Sequence, residues 1–297
     1  MKEVLRYKYI YLILLPGLLF FLVFSYAPMY GIQLAFKEFQ IGKGIWASPW
    51  VGFDKFAELF ENREFWRAFR NTLEISFLRI AIGFPMPIFL ALLINEVTHR
   101  KMKRTLQTIY TFPHFLSWVV LSGILANLLG NGGALNNLIA LMGGERVSFM
   151  SNPFIFRGVL IFGGIWKDSG WSCIMYLAAI ASIDHAIYES ATIDGANRLQ
   201  KAFHITWPGI REMVAMLLIL AIGNCMNANF DQIFNLYNPT VFSKADTIDT
   251  FLYRNTFQLP PDYGFSTAVG MFKGVINCAL LLSANSIVKK LNQSSLF

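Results

Sequence analysis

The chain has 297 residues, of which 55% are hydrophobic, 15% aromatic and only 14% charged, with a formal net charge of +7. Its mean hydropathy is +0.47. A water-soluble domain carries about 25% charged residues, so this balance places the chain outside the ordinary soluble enzymes and binding modules and makes it a polytopic, all-α membrane protein. The excess of lysine and arginine does not argue for nucleic acid, because no hydrophilic block exceeds about 40 residues; it fits loops anchored beside anionic membrane lipid.

The sequence predicts about six spanning helices within a single domain over 1–297, at about 9–30, 72–94, 107–129, 157–181, 212–230 and 266–288. Each is near the ~20 residues that cross a hydrocarbon core. The first is interrupted by Pro16-Gly17 and continues past Leu22 to Tyr30 without a good small-x-small cleavage site, so a retained span is expected rather than a signal peptide. Between the first two spans, 49–71 alternates apolar and charged residues at helical spacing. There Phe56, Leu59, Phe60, Phe65, Trp66 and Phe69 suit either a membrane-surface helix or a linker helix feeding the second span. The second span holds Pro85 and Pro87. Cys173, Cys225 and Cys278 all fall in apolar spans and show no disulfide or zinc spacing.

Basic residues set the orientation. With the N-terminus inside, the cytoplasmic side carries Lys2, Arg6, Lys8, the cluster Arg100, Lys101, Lys103 and Arg104, then Arg198, Lys201, Arg211, Lys289 and Lys290. Both termini are therefore expected in the cytoplasm.

Three cations fall inside predicted spans: Arg79, Lys167 and Lys273. A cation at a helix centre costs roughly 2.5–3.5 kcal/mol on insertion scales, so each needs a partner or a purpose. They lie about 7 to 10 residues below the expected outer ends, roughly 10–15 Å deep. Three cations at one depth suit a pathway for an anionic solute. Pairing is the alternative: Glu74 lies five residues before Arg79, whereas Asp168 adjoins Lys167 and is a poor local partner. Polar stripes lie nearby. Asn224, Asn227 and Asp231 are spaced for one face of the fifth helix, and Lys273 and Asn277 for one face of the sixth. Trp166, Gly170 and Cys173 share a face of the fourth, with Trp171 at i+4 from Lys167. Amides as helix glue and tryptophans as boundary anchors are the plainer alternative for each.

The most specific segment is ESATIDGANRLQKAFHITWP, Glu189 to Pro208. It is polar, lies between two spans, and combines Glu189, Ala191, Asp194, Gly195 and Ala196 with Ile205 and a closing Pro208. It resembles the EAA coupling loop of the permease subunits of binding-protein-dependent ABC importers. Ser190 stands in place of the first Ala and Trp207 in place of the usual Leu. The resemblance extends through PMYGIQLAFKEF, SPWVGFDKF, FPHFLSWVV, IWKDSGW, YLAAIASID, LYNPTVFSKADTIDTFLYR and TAVGMFKGVIN. Together these look like the maltose-transporter class, in the branch that takes up complex oligosaccharides.

The resemblance implies a type I ABC importer permease fold in the bacterial inner membrane. It implies a second homologous permease subunit, two ATP-binding subunits and an extracytoplasmic solute-binding protein. In such a system ATP and Mg sit on the partner subunits, and this chain binds no cofactor and no metal and holds no catalytic residue. The residues agree with that division, because no G-x-x-x-x-G-K-[ST] phosphate loop occurs. The midplane cations and the resemblance together point to acidic oligosaccharides such as alginate- or pectin-derived uronates, with neutral oligosaccharides as the alternative. An intramembrane enzyme or a channel is the remaining alternative class, without an H-E-x-x-H, a G-x-S-x-G or a filter-like repeat to support it.

Overall fold

The computed structural model describes residues 7–258 and 260–290, so Lys2 and Arg6 of the charge argument lie outside the described residues. The described chain is helical, and its only non-helical pairing is an isolated bridge between Lys37 and Trp50. Five helices are long and apolar enough to cross a membrane: α1 (Tyr9–Phe36), α3 (Arg63–Asn95), Trp118–Leu141, α9 (Arg198–Gly223) and α12 (Tyr263–Lys290). A sixth candidate joins α7 (Pro153–Ala181) to α8 (His185–Ile193) across a 71° bend. Shorter helices fill the connections: α2 (Asp54–Glu61), α4 (Arg100–Thr111), α5 (Trp118–Leu129), α6 (Ala134–Leu141), α10 (Phe230–Leu236) and α11 (Ile248–Tyr253).

The described residues fall into two compact units, one within 7–63 and 252–273 and the other within 64–251 and 274–290. In the first, α1 is exposed from Tyr9 to Tyr30, as a helix facing lipid would be. Two lysines pin the segment after it. Lys37 is buried and donates to the carbonyls of Ile45 (2.7 Å) and Trp46 (3.2 Å). Lys55 is ringed by Asp262 at 2.7 Å, Glu38 at 3.1 Å and Glu58 at 3.4 Å. The membrane-surface alternative for 49–71 fails for two of its residues, since Leu59 and Phe65 are fully buried. The residues from Arg63 onward instead begin α3.

The second unit holds two apolar clusters. One packs Ile75, Trp118, Leu121, Phe156, Leu160 and Ile233. The other packs Ile88, Ala91, Cys173, Tyr176, Ile180 and Ile210. Buried polar groups tie distant segments together. Asn71 Nδ2 donates to Asp246 O at 3.0 Å, and Thr72 Oγ1 accepts from Ile248 N at 2.9 Å.

Prolines shape the spans in one repeated way. Proline lacks an N–H, and its ring crowds the carbonyl four residues back. At Pro28, Pro85 and Pro208 the preceding turn is a π turn: Leu22–Tyr26, Arg79–Gly83 and Ala202–Thr206. In each case the residue just before the proline bonds five residues back: Ala27 to Leu22 O, Phe84 to Arg79 O and Trp207 to Ala202 O. The extra residue moves the crowded carbonyl aside, so the helix continues. Pro208 therefore does not close its segment, as the sequence reading expected; α9 runs through it. The expected interruption at Pro16 is also absent, since the first α-helical stretch, Lys8–Phe21, contains it.

Two expected spans end differently. The span placed at 107–129 is broken, because α4 stops at Thr111 and a 3₁₀ turn Phe112–Phe115 follows. Ser117 then caps α5 by accepting from Val120 N at 3.3 Å. The span placed at 212–230 ends at Gly223, and Asn229, at φ 59, stands outside any helix before α10. Asn224, Asn227 and Asp231 therefore share no helix face.

Candidate functional site

Three cavities adjoin along α3, α7 and α9 in the second unit. One of about 160 Å³ is lined by Arg79, Pro87, Asp168, Ser172 and Asn229 among others. A second of about 280 Å³ meets Ser76, Arg79, Phe84, Asn224 and Asn227. A third of about 370 Å³ meets Phe84, Pro87, Trp171, Ser172 and Asn224. Their shared walls join them into one groove. Of the expected pathway residues, Arg79, Trp171, Asn224 and Asn227 thus come together on it.

Arg79 opens the π turn that Pro85 requires. Its guanidinium donates to Ala228 O at 2.8 Å and to Gln232 Oε1, and Gln232 donates in turn to Leu160 O at 2.7 Å. Ala228 immediately precedes Asn229, whose left-handed backbone opens α10; asparagine is among the few side chains that tolerate that conformation. A guanidinium has five N–H donors, and Ala228 O and Gln232 Oε1 engage only part of that set. Glu74 is not its partner: it meets Arg70 Nε at 2.7 Å and also pairs with Arg157.

Lys167 behaves differently. It is 6% exposed, and its ammonium donates to His114 O at 2.6 Å, above the Trp118 ring at 5.8 Å. Asp168 Oδ1 lies 3.0 Å from His114 Nδ1 and 3.9 Å from Lys167 Nζ. The His114 ring stacks on Trp171 at 4.7 Å between centroids, only 6° from parallel. His114 was not anticipated, although Pro113 and Ser117 in FPHFLSW mark the helix break that brings it to α7. Gln232 and Asn229 were missed as well, because they lie beyond the unforeseen end of α9.

The other candidates disperse. Trp166 lines a separate apolar cleft. At Gly170 a Cβ would lie 1.9 Å from Tyr110 O, so this part of α7 is a close helix contact. Asp231 sits exposed in the first turn of α10. Asn277 Oδ1 accepts from Met226 N at 3.1 Å. Lys273 belongs to the first compact unit.

The segment after α7 is built for a sharp reversal. Asp184 caps α8 by accepting from Ala186 N at 2.9 Å. Asp194 is the C-cap, and Gly195 follows at φ 78. Gly195 N bonds to Thr192 O (3.1 Å) and Ala196 N to Ala191 O (2.9 Å), the paired bonds of a Schellman turn. Asn197 and Gln200 form a capping box that restarts the helix. Lys201 Nζ ties the two arms through Thr192 Oγ1 at 2.7 Å, and Tyr188 OH meets Thr206 Oγ1 at 2.9 Å. Glu189 is exposed on α8, Ile205 is half-buried and Pro208 is exposed. Apolar side chains face outward from this reversal: Ile193 is 88% exposed and Leu199 71%.

Residues 83–291 match the family described as binding-protein-dependent transport system inner membrane component. The chain belongs to this family. The permease is 43% identical to Protein LplB of Bacillus subtilis (strain 168), over 100% of this chain and 93% of that relative. It is 40% identical to the polygalacturonan/rhamnogalacturonan transport system permease protein YteP of the same organism, over 99% and 92%. Among solved structures it is similar to a chain of a bacterial alginate ABC transporter in complex with alginate pentasaccharide-bound periplasmic protein. There the TM-score is 0.91 at 40% identity, covering 99% of each chain. It is a multi-pass membrane permease of the ABC-transporter class with the all-α fold of that family.

Proposed function

We propose that the permease is one transmembrane half of an ATP-driven importer for acidic oligosaccharides, of the kind released from alginate or pectin. The observation that carries this reading is its likeness, over 99% of its length at a TM-score of 0.91, to a transporter of the acidic polysaccharide alginate. The groove supports it. Arg79 lines two of the joined cavities with donors to spare, and a fixed cation in a low-dielectric groove attracts a carboxylate more strongly than it would in water. Trp171 and Asn224 on the same groove supply an aromatic face and an amide for sugar rings.

The remaining machinery belongs to partners. A second homologous permease completes the pathway, a solute-binding protein delivers the oligosaccharide outside, and two ATP-binding subunits hold ATP and Mg inside. The turn at Gly195 is the contact with those ATPases, with Glu189 and the exposed Ile193 and Leu199 on its surface. Both termini are then cytoplasmic, in the bacterial inner membrane. Closure of the ATPases moves the Gly195 turn, and α9 transmits that motion to the groove, biasing the permease between two states.

The test is purification of the tagged permease with its partners co-expressed. The proposal expects ATP-binding subunits in the complex and ATPase activity that rises with loaded binding protein. A permease that purifies without them and leaves ATPase activity unchanged would refute it.

A further inference from the structure

A second cavity, apart from the Arg79 groove, lies against α5 and α7. Its volume is about 530 Å³, and its walls include Leu125, Leu129, Phe154, Gly158, Phe162 and Trp166. From Phe154 to Trp166 the cleft follows α7 for twelve residues, about 18 Å at 1.5 Å per residue. That is close to one leaflet of a hydrocarbon core ~30 Å thick. Its upper end lies in the first turn of α7, where Asn152 accepts from Phe154 N at 3.0 Å and Pro153 starts the helix.

A cation stands at that end. Lys244 Nζ sits 5.2 Å from the centre of the Phe154 ring. Its neighbour Arg157 is committed elsewhere: it pairs with Glu74, donates to Asn71 Oδ1 at 3.0 Å and binds the carbonyl of Lys244 at 2.9 Å. Among the described residues no carboxylate lies within ion-pair distance of the Lys244 ammonium, whose contact is the ring. The arrangement is an apolar cleft about 18 Å long with a cation beside the aromatic ring at its α7 N-terminal end.

The geometry points to a binding site for one anionic phospholipid. An acyl chain lies in the cleft along Gly158, where an added Cβ would meet nothing within 4 Å. The phosphate group sits at Lys244. Charge complementarity favours this occupant over a helix of another subunit, because an anionic headgroup pairs with the ammonium and an apolar helix does not.

Native mass spectrometry on the assembled transporter tests the site, with phosphatidylglycerol and phosphatidylcholine of equal chain length added after delipidation. Wild type should retain phosphatidylglycerol in preference to phosphatidylcholine. Lys244→Gln should reduce that preference about fivefold, the equivalent of ~1 kcal/mol per lysine near an anionic surface. Gly158→Leu, which fills the cleft, should reduce retention of both lipids. Equal retention of the two lipids by wild type, or an unchanged preference in Lys244→Gln, would overturn the proposal. So would efficient cross-linking of Phe162→Cys to the second permease subunit, which would place a protein helix in the cleft.

Discussion

Lys167 and Arg79 meet the cost of a charge in hydrocarbon in different ways. Lys167 gives its ammonium to a backbone carbonyl in the turn that breaks the third span, so it holds the fold of that turn. Lys167→Met leaves the His114 carbonyl without its donor, a loss of about 1–3 kcal/mol for a buried acceptor. The expected outcome is a lower thermal midpoint for the solubilised transporter with an unchanged ratio of uronate to neutral-sugar transport. A changed ratio at unaltered stability would return Lys167 to the pathway. Lys55 works outside the spans. Burial pulls its pKa down, but hydrogen bonds to Asp262 and Glu38 and the charges of Asp262 and Glu58 outweigh that and hold it above the ordinary lysine range. Its folded-state pKa is raised, so its stabilisation is fully present below about pH 10.4, the unfolded value, and is lost only as pH rises through the folded one. Lys55→Met should therefore lower stability by the same amount at pH 6 and pH 9, because it leaves three carboxylates without their shared cation. A deficit that appears at only one of these pH values would contradict this assignment. The pairing of Lys167 with the His114 carbonyl and of Lys55 with Asp262 was not legible in the sequence, because those partners lie 53 and 207 residues apart.

The spanning helices were legible as apolar runs, but their interruptions were not. Pro28 and Pro85 lay inside predicted spans and only Pro208 was read as closing its segment, whereas a π turn before each lets the helix continue. The end of α9 carried a signal that periodicity overrode. Gly223 is followed by Asn224, Asn227 and Asn229, all weak helix formers, and the i, i+3, i+7 spacing made a stripe of residues that share no helix. The turn at Gly195 was legible because its motif combines a glycine with capping residues on both sides. Its positive φ makes a direct test possible. A β-branched residue strains there, while asparagine adopts the left-handed region more readily. Gly195→Val should sharply reduce ATPase stimulation by loaded binding protein, with the permease still inserted and assembled, and Gly195→Asn should retain most of it. Equal stimulation in the two variants would remove the turn geometry from the coupling account.

At the scale of the molecule, an all-α membrane permease was legible from hydropathy and one polar loop, and the family match agrees. The division of the described residues into two compact units was not, because the segments that form one of them, within 7–63 and 252–273, are distant in sequence. The groove was half legible: residue types suggested Arg79, Trp171, Asn224 and Asn227, while Asp168 as the partner of His114, and Gln232 and Asn229, needed the folded chain. The proposed selection of acidic substrates rests on Arg79, the expected cation that lines this groove. The decisive measurement is ATPase stimulation or uptake, in the reconstituted transporter with its binding protein, using uronate and neutral oligosaccharides of equal length, for wild type and Arg79→Gln. The account predicts strong preference for the uronate in wild type and a loss of roughly tenfold or more in uronate transport in Arg79→Gln, equivalent to the ~1.4 kcal/mol or more of a charge-assisted hydrogen bond. Equal use of neutral and acidic sugars by wild type would contradict it.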